Sequence, residues 1–571
     1  MNKKDIIKLL ETIAVYMELK GDNPFKVSAF RKAAVALEQD DRSLSQIDDF
    51  LKLPGIGKGT FAVITEYIEK GQSETLEQLK KEVPEGLIPL LKLPGLGGKK
   101  IAKLYKELGV CDAKSLREAC ETEKVQALAG FGKKTEEKIL TSLEEAGKQP
   151  ERLPIGFALD VAERIDHALE QMEGIIRFSR AGSLRRARET VKDLDYIIAT
   201  DHPEQVREQL IALDDVKDII ASGDTKVSVI LALDFEIGVD FRLVTTDQFA
   251  TTLHHFTGSK EHNIRMRQIA KERGERISEY GVETVETGEV KTFQDEGAFY
   301  AHFQLPLIPP EIRETGAEID TYKESMQFVE LTDIKGDLHM HSTWSDGAFS
   351  IREMAEACMA KGYEYMAITD HSQYLKVANG LTKERLRLQA KEIDKLNEEF
   401  EGHFHIFKGV EMDILPDGSL DYDDDFLAEM DFVIASIHSS FSQPEEVIMK
   451  RLESALRNQH VDIIAHPTGR LIGRRDGYAL NIDQLIELAK NTGTALELNS
   501  NPSRLDLKTE HLMKANEAGV NIMINTDAHN IAMLDHMEVG VTAARKGWTP
   551  KANVVNTFTL KEIKKFLTRD R

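Results

Sequence analysis

The sequence contains few cysteines and no long apolar run. Its 571 residues include only Cys111, Cys120 and Cys358, none of them in a CxxC pair, which argues against a disulfide framework. No apolar stretch reaches the length of a membrane span. Charged residues interrupt the apolar pattern of the opening MNKKDIIKLLETI, so no signal peptide is expected. We therefore expect an intracellular, cytoplasmic protein without a membrane anchor.

The sequence also lacks an excess of basic charge. Its net charge is −23. Residues 1–150 are nearly neutral at +1, with 25 Lys+Arg and 24 Asp+Glu. The acidic excess lies in residues 151–330, at −14 (21 Lys+Arg, 35 Asp+Glu), and in residues 331–571, at −10 (28 Lys+Arg, 38 Asp+Glu). This balance predicts weak non-specific affinity for DNA overall, but it leaves room for local phosphate contacts. The chain length predicts two to four globular domains.

Three glycine-containing motifs recur in the first 150 residues: LPGIGKGT (53–60), LPGLGGKK (93–100) and the looser LAGFGKKT (128–135). An amphipathic helical pattern follows each one. Glycine permits tight turns and close backbone approach, and free N–H groups at a helix start can bind a phosphate. One copy is equally compatible with an ordinary turn, but three favour helix–hairpin–helix units that hold the DNA backbone without reading its sequence. The candidate glycine contacts are Gly55, Gly57, Gly95 and Gly97.

Two strand patterns in the middle of the chain carry three aspartates. Asp193 and Asp195 begin the strand DLDYIIAT, where the i, i+2 spacing puts both carboxylates on one face. Asp240 lies within a second strand and can complete a two-metal site for phosphoryl transfer. Upstream, a glycine–serine pair ending at Ser183 could hold a triphosphate that Arg186 would neutralise. A DxD pair alone usually lies on a surface without a function. Together with the glycine–serine pair and the strand aspartate, it predicts nucleotidyl transfer.

The order and spacing of motifs over residues 1–315 resemble the family X DNA polymerases, of which polymerase beta is the best known. The shared motifs include FKVSAFRKAAVAL, both strong hairpins, GSLRR, DLD, VDFRLV, FTGS and ISEYGV. The resemblance implies that Asp193, Asp195 and Asp240 are catalytic and hold Mg²⁺ or Mn²⁺ in a polymerase palm. It also implies a nucleotide-binding site, in which Arg267 reaches the template-side minor groove; its residues are Arg152, Gly182, Ser183, Arg186, Phe256, Gly258, Asn263 and Arg267.

Two departures from the family pattern affect the expected chemistry. His255 stands where the family usually has a tyrosine, which leaves sugar discrimination open. Val63 stands where members with 5′-deoxyribose-phosphate lyase activity carry a lysine nucleophile, and Gly59 stands at a supporting lysine position. Because a Schiff base requires an amine, we expect weak or absent lyase activity. Lys26 and Arg31 are retained and suit a 5′-phosphate at a gap.

The last third of the chain alternates strand patterns with helical ones, and its strands end in His, Asp or Glu. Seven such runs predict parallel strands in a closed or nearly closed β/α barrel, whose C-terminal strand ends meet at one mouth. A single histidine is most often a satisfied core residue, but nine candidates indicate a site for up to three Mn²⁺, Zn²⁺ or Fe²⁺ ions. The candidates are His339, His341, Asp346, His371, Glu411, His438, His466, Asp527 and His529.

The motifs HMHSTWSDG, TDHS, GVEMD, IHSS, AHP and TDAH resemble the PHP (polymerase and histidinol phosphatase) family over residues 333–571. The resemblance assigns His339, His341, Glu411 and Asp527 to a first metal, Glu411, His438 and His466 to a second, and Asp346, His371 and His529 to a third. PHP domains fused to family X polymerases are similar to metal-dependent 3′–5′ exonucleases. Cleavage at abasic sites is a further expectation.

We therefore predict a multidomain protein with α-helical helix–hairpin–helix domains, an α+β polymerase-beta-like palm and thumb, and a seven-stranded β/α PHP barrel. The predicted domains are 1–80 with the first hairpin, a fingers-like 81–150 with the second, the palm 151–245, the thumb 246–315, a linker 316–332 and the barrel 333–571.

The predicted function is a monomeric DNA-directed DNA polymerase that fills short gaps in DNA repair, using gapped or primed DNA and dNTPs, with a PHP exonuclease. Two alternatives remain: a small-molecule phosphoesterase attached to a DNA-binding module, and a gap-binding module with a structural barrel. The hairpins argue against the first, because a small substrate needs no DNA clamp. The intact ligand set argues against the second.

Overall fold

The computed structural model describes residues 3–38, 47, 49–93, 96–146 and 150–568. The chain divides into two compact units: the first comprises Met1–Gln149 and Ala348–Ser350, and the second comprises Pro150–Gly347 and Ile351–Arg571. In the described part, no helix is long and apolar enough to cross a membrane. Cys111, Cys120 and Cys358 are free, the first exposed and the other two buried.

The first unit is α-helical. Its helices are α1 (Lys3–Lys20), α2 (Pro24–Glu38), α3 (Lys58–Lys70), α4 (Glu74–Glu82), α5 (Gly98–Leu108), α6 (Ala113–Glu121) and α7 (Lys133–Ala146). The amphipathic patterns after the three glycine motifs form α3, α5 and α7, as predicted. One hydrophobic core contains buried residues from Ile6 to Leu143, so the predicted regions 1–80 and 81–150 share it.

The predicted palm is built around a five-stranded sheet. Its elements are β1 (Leu153–Pro154), α8 (Ile155–Gln171), β2 (Ile175–Arg180), α9 (Gly182–Arg185), β3 (Thr190–Val191), β4 (Asp193–Thr200), α10 (Pro203–Ile211), β5 (Val216–Ser222), β6 (Lys226–Ala232) and β7 (Glu236–Val244). The strand order is β2-β4-β7-β6-β5, with β4 and β7 parallel. Burial alternates along β7, so its apolar residues face the core and Asp240 lies on the opposite face.

The predicted thumb combines helices with a small antiparallel sheet of order β10-β9-β8. Its elements are α11 (Phe249–Thr257), α12 (Lys260–Glu272), β8 (Glu275–Ser278), β9 (Gly281–Thr284), β10 (Val290–Lys291) and α13 (Glu296–His302), and α14 (Glu318–Thr321) follows in the segment 316–332. Buried aromatic residues, including Phe299 and Tyr300, dominate its core.

The segment 316–332, for which we predicted only a linker, is packed. Glu318 is buried, with a carboxylate oxygen 2.7 Å from His262 Nδ1. Further along, the Phe328 ring lies 5.7 Å from the Trp548 ring, and the Val329 N–H donates to the Thr549 carbonyl over 3.3 Å. The segment therefore attaches the thumb to the barrel region through buried contacts instead of spanning a gap.

The last region contains a seven-stranded parallel sheet whose strands follow chain order. Its strands are β11 (Gly336–Asp337), β12 (Tyr365–Ile368), β13 (His405–Asp413), β14 (Phe432–Ser436), β15 (Ile463–Ile464), β16 (Ala495–Asn499) and β17 (Ile522–Asn525). Its helices are α15 (Ile351–Ala360), α16 (Lys383–Glu399), α17 (Asp424–Leu427), α18 (Glu445–Leu456), α19 (Ile482–Thr492), α20 (Thr509–Ala518), α21 (His536–Lys546) and α22 (Leu560–Leu567). A parallel bridge between Met340 and Ala528 joins the ends of the first and last strands. Every residue of β12, β14, β16 and β17 is buried, as expected for parallel strands covered on both faces.

Candidate active sites

Three aspartates meet on the exposed face of the palm sheet. The register of β4 and β7 places Asp195 directly beside Asp240, and Asp193 lies two residues before Asp195. Burial, followed by the charges of Asp193 and Asp240, raises the pKa of Asp195 to about 7. A Lys226 ammonium lies 2.8 Å from Asp240 Oδ2. Crowded carboxylates that oppose each other's ionisation are an arrangement that divalent cations stabilise.

A cavity of about 470 Å³ opens beside these aspartates. All eight predicted nucleotide contacts line it, together with Asp193 and Asp195, whereas Asp240 does not. Four further side chains line it: Lys192, His255, Ser259 and Lys260. The cavity thus combines carboxylates on one strand with cationic side chains from palm and thumb, which is the charge pattern that a nucleoside triphosphate with its cations requires.

Gly182 and Arg186 are held in place by specific backbone and side-chain contacts. Gly182 has a φ of +60°, and a Cβ at this position would overlap the Asp195 carboxylate. The Arg186 guanidinium donates to the Thr257 carbonyl in the thumb. Its Nε is buried and has no hydrogen bond among the described residues. Glycine is required here because any side chain would displace Asp195.

The thumb side of the cavity is formed by the end of α11 and the start of α12. Asn263 donates from Nδ2 to the His255 carbonyl over 2.8 Å, while its Oδ1 is buried without a hydrogen bond among the described residues. The Arg242 guanidinium lies 4.5 Å from the centre of the Phe256 ring. Arg152 is held by Thr190, to whose hydroxyl and carbonyl oxygens it donates over 3.0 and 2.6 Å. Arg267 is exposed at the rim.

The second site lies at the C-terminal ends of the barrel strands, around the buried carboxylate of Glu411. Oxygen Oε2 is 2.9 Å from His371 Nδ1, 3.3 Å from His339 Nε2 and 3.5 Å from His341 Nε2. Oxygen Oε1 is 3.0 Å from His466 Nε2 and 3.2 Å from His438 Nε2. Five of the six candidate histidines therefore converge on one side chain.

Three groups of barrel residues have ligand atoms that all lie within 4.8 Å of one another. The first is the predicted set of His339, His341, Glu411 and Asp527. The second group consists of Glu411, His438 and His371, whereas we predicted His466 in the place of His371. The third group contains the predicted Asp346, His371 and His529, and His341 in addition. His466 still contacts Glu411, as described above. His371 and His341 each lie between two groups because both ring nitrogens of each face carboxylates. These are the only such groups among the residues that the structure describes, and the palm aspartates are not among them.

The buried donor atoms of the barrel site fit bound metal ions. His339 Nε2, His341 Nδ1, His371 Nδ1, Glu411 Oε2 and His466 Nδ1 are buried without a hydrogen bond among the described residues. A buried polar atom without a hydrogen bond costs about 1–3 kcal/mol, and several such donor atoms that face one another at 2.9 to 3.5 Å without hydrogen bonds suit a shared cation. Mixed imidazole and carboxylate donors suit Zn²⁺, Mn²⁺ or Fe²⁺.

The charges of the barrel site are strongly coupled. Burial opposes ionisation of Glu411, but His371, His438 and His339 hold the pKa of this carboxyl well below its usual range. Burial lowers the pKa of His438, yet Glu411 and Asp413 outweigh it and raise that pKa to about 10. Burial and then the neighbouring His529 and His371 lower the pKa of His341 to about 3. The carboxylates therefore remain ionised, as metal ligands must be.

In the first unit, the glycine motifs form turns that lead into helices. Gly55 has a φ of +109°, and a Cβ there would approach the Lys32 carbonyl to 3.0 Å. Gly57 and Gly97 are the N-cap residues of α3 and α5. Gly95 lies outside the described residues. In α2, Lys26 and Arg31 are exposed, and Arg31 pairs with Glu18.

A comparison with curated proteins decides the family. DNA polymerase/3′-5′ exonuclease PolX of Bacillus subtilis (strain 168) is 77% identical over 570 residues, which cover 100% of this chain and 100% of the relative. The chain belongs to the bacterial family X DNA polymerases that carry a PHP domain. Shorter relatives include probable phosphatases of Caldanaerobacter subterraneus subsp. tengcongensis (28% over 246 residues, 41% of this chain and 91% of the relative) and Thermoanaerobacter sp. strain X514 (30% over 242 residues, 40% and 93%).

Family models match four parts of this family X polymerase. A helix-hairpin-helix domain matches residues 1–73, a SAM-like helix-hairpin-helix tandem 87–145, the DNA polymerase beta thumb 252–314 and a PHP domain 337–501. With the observed seven-stranded barrel, these matches confirm the predicted fold class. The looser third glycine motif also falls within the tandem match.

Val63 and His255, the two departures from the family X pattern, lie in different environments. Val63 is 6% exposed and belongs to the core of the first unit. Gly59, at the supporting position, is exposed. His255 lines the cavity beside the palm aspartates, and burial lowers its pKa. Val63 therefore packs against apolar neighbours and offers no amine.

Some residues at the two sites of this family X polymerase were not predicted from the sequence. The Oε1 atom of Glu497 is 2.7 Å from His339 Nδ1. Its Oε2 atom accepts a hydrogen bond from the backbone N–H of His466 over 2.7 Å. Asp413 lies 3.2 Å from His438 Nδ1. Partners on the second ring nitrogen fix the orientation of ligand histidines. Both carboxylates lie in strand patterns of the sequence, Glu497 in ALELN and Asp413 in GVEMD, and Lys192 directly precedes the DLD motif.

Proposed function

We propose that this chain is a DNA-directed DNA polymerase that fills short gaps in DNA repair and carries a metal-dependent 3′–5′ exonuclease in its PHP barrel. The observation that carries the polymerase activity is the meeting of Asp193, Asp195 and Asp240 beside a cavity lined by all the predicted nucleotide contacts. The name of the full-length relative, a DNA polymerase and 3′-5′ exonuclease, supports both activities.

In the polymerase site, Asp193, Asp195 and Asp240 would hold Mg²⁺ or Mn²⁺. Bound cations would neutralise the triphosphate and ease deprotonation of the primer hydroxyl. Ser183 and Arg186, with Arg152, would bind the triphosphate, and Phe256, Gly258 and Asn263 would orient the sugar and base of a dNTP. The exposed Arg267 would reach the DNA. Arg186 lies in the palm and donates to the Thr257 carbonyl in the thumb, so it can align the nucleotide with the aspartates.

In the barrel, the nine predicted ligands would hold up to three ions, and we propose Mn²⁺, Zn²⁺ or Fe²⁺. Such ions activate water for attack on a phosphodiester. Glu411 would connect two of the metal groups, while Glu497 and Asp413 would fix the histidine rings. This site requires no palm residue, so removal of nucleotides from a 3′ end and cleavage at abasic sites can proceed separately from polymerisation.

The glycine motifs would hold the DNA backbone near the gap, and we propose that Lys26 and Arg31 bind a 5′-phosphate there. Gly55, Gly57, Gly95 and Gly97 would allow close approach of the phosphates. We propose that the protein works as a monomer. The alternative of a small-molecule phosphoesterase is not favoured, because the full-length relative shares every region of the chain and its name describes DNA chemistry.

The test uses a 5′-labelled primer on DNA with a one-nucleotide gap and a 5′-phosphate, with Mg²⁺ or Mn²⁺. With dNTPs, we expect the primer to grow by one templated nucleotide; without dNTPs, we expect it to shorten. A chromogenic phosphomonoester serves as the competing small substrate. Hydrolysis of that ester with neither growth nor shortening of the primer would contradict the proposal.

A further inference from the structure

Lys546, at the end of the barrel helix α21, lies against residues of the palm and thumb. It is 8% exposed. Its ammonium donates to the Arg186 carbonyl over 2.9 Å, to the Glu311 carbonyl over 3.0 Å and to Glu314 Oε1 over 2.7 Å. An ammonium has three donors, so all of them are used, and each serves a residue outside the barrel.

One of these acceptors is the carbonyl of Arg186, the proposed triphosphate contact, and another, Glu314, lies beside its guanidinium. Glu314 Oε1 is also 3.7 Å from Arg186 Nε, and its Oε2 is 3.4 Å from Arg188. Arg186 therefore lies between a carboxylate on one side and the nucleotide cavity on the other. Guanidinium groups bind carboxylates and phosphates through the same donors, so an unrestrained Glu314 would compete with a triphosphate for Arg186.

We infer that Lys546 is a positioning residue of the polymerase reaction: it fixes the backbone of Arg186 and restrains Glu314, so that the guanidinium stays available to the incoming nucleotide. This inference rests on the proposed function, because that function assigns the triphosphate to Arg186. Lys546 itself does not line the nucleotide cavity.

The same helix also connects the two sites. Helix α21 begins at His536, seven residues after the barrel residue His529, and its eleven residues end at Lys546. At 1.5 Å per residue it spans roughly 16 Å. The barrel domain thus supplies a side chain to the polymerase half of the molecule, which gives it a role in nucleotide binding besides hydrolysis.

The experiment compares the full-length wild type with Lys546→Met, Lys546→Arg and a matched control, Lys551→Met. Lys551 forms its own ion pair with Asp333 over 2.7 Å and is half exposed. We expect Lys546→Met to raise KM for the dNTP about tenfold, equal to about 1.4 kcal/mol, with kcat changed less than about threefold. Lys546→Arg should restore part of the affinity, Lys551→Met should behave as wild type, and primer shortening should be unchanged in all.

Two double variants test whether Lys546 acts on KM through Glu314 and Arg186. Adding Glu314→Gln to Lys546→Met should return KM towards wild type, because the competing charge is gone. In an Arg186→Ala background, which should itself raise KM, Lys546→Met should add less than about twofold, because residues that act through one another are not additive. Full additivity, or no rescue by Glu314→Gln, would overturn the inference.

The outcomes separate this inference from the proposed function. An unchanged KM in Arg186→Ala would refute the triphosphate assignment and the inference with it. A raised KM in Arg186→Ala with a wild-type KM in Lys546→Met would refute the inference alone. If Lys546→Met does not fold, Lys546→Arg and Glu314→Gln test the inference in its place. The amide oxygen in Glu314→Gln can still accept from Lys546, so the KM of this variant for the dNTP should stay within about twofold of wild type. A tenfold rise in that variant would contradict the competition that the inference requires.

Discussion

Replacing Glu411 with glutamine should remove two of the three proposed ion positions of the barrel. The carboxylate of Glu411 belongs to two of the three ligand groups, and the third group, His341, Asp346, His371 and His529, does not include it. Glutamine keeps the size of the side chain but loses the negative charge. We therefore expect at most one ion per chain, against the three that we propose as the maximum for the wild type.

The loss of rate should be correspondingly large. Removing one strong electrostatic contact from an active site costs about 10²–10³-fold in rate, and Glu411 contacts five histidines over 2.9 to 3.5 Å. We expect at least that loss for Glu411→Gln. Asp413 lies 3.2 Å from the second ring nitrogen of His438 and belongs to none of the three ligand groups found among the described residues, so Asp413→Asn should cost about 10–100-fold in metal affinity or activity.

The assay measures metal content by mass spectrometry after dialysis against Mn²⁺, and primer shortening without dNTPs. The exposed Glu445 at the start of α18 supplies the control variant Glu445→Gln, which should match wild type. Extension with dNTPs should persist in every variant. If Glu411→Gln kept its full metal content and the wild-type rate of shortening, the central role of Glu411 would be refuted.

Three further predictions concern the other regions. Gly182→Ala should reduce extension by at least about 10²-fold, because its Cβ overlaps Asp195 and displaces a catalytic carboxylate, while shortening continues; wild-type extension would contradict this. Borohydride should trap little protein on DNA with a 5′-deoxyribose phosphate, because Val63 offers no amine; efficient trapping within residues 1–80 would contradict this and point to another lysine. Glu296 is buried and bridges Arg185 and Arg313 over 2.6 Å each, so Glu296→Gln should lower the free energy of unfolding by about 3–5 kcal/mol in urea titrations. Burial opposes ionisation of Glu296, but the two arginines hold its pKa below the usual 4.5, so this stabilisation is present above pH 4.5 and is lost on acidification; a variant as stable as wild type at pH 7 would contradict it.

The sequence predicted the sites best where the candidate residues lie in strands or at strand ends. The i, i+2 spacing of Asp193 and Asp195 and the strand position of Asp240 predicted their meeting, because a strand fixes which side chains share a face. The barrel ligands followed from the same rule, since parallel strands end at one mouth. These patterns locate side chains to within one face of a sheet.

Contacts that depend on tertiary packing could not be predicted. His371, for which we predicted a place in the third set alone, also joins the second, because its ring lies between Glu411 and Asp346. The segment 316–332 has no periodic apolar pattern, yet Glu318 and Phe328 are buried by partners that are distant in sequence. Lys546 sits in the stretch AARKGW, which carries no motif, and only the packing of α21 reveals its partners.

The separation of the two activities tests the account most directly. The measurement compares Asp193→Ala/Asp195→Ala with His339→Ala/His341→Ala on the same gapped, 5′-labelled primer, with and without dNTPs. We predict that the palm variant still shortens the primer but extends it orders of magnitude more slowly, and that the barrel variant extends but does not shorten. A palm variant that loses shortening while it still binds DNA and its barrel metals would place hydrolysis in the polymerase site and contradict the account.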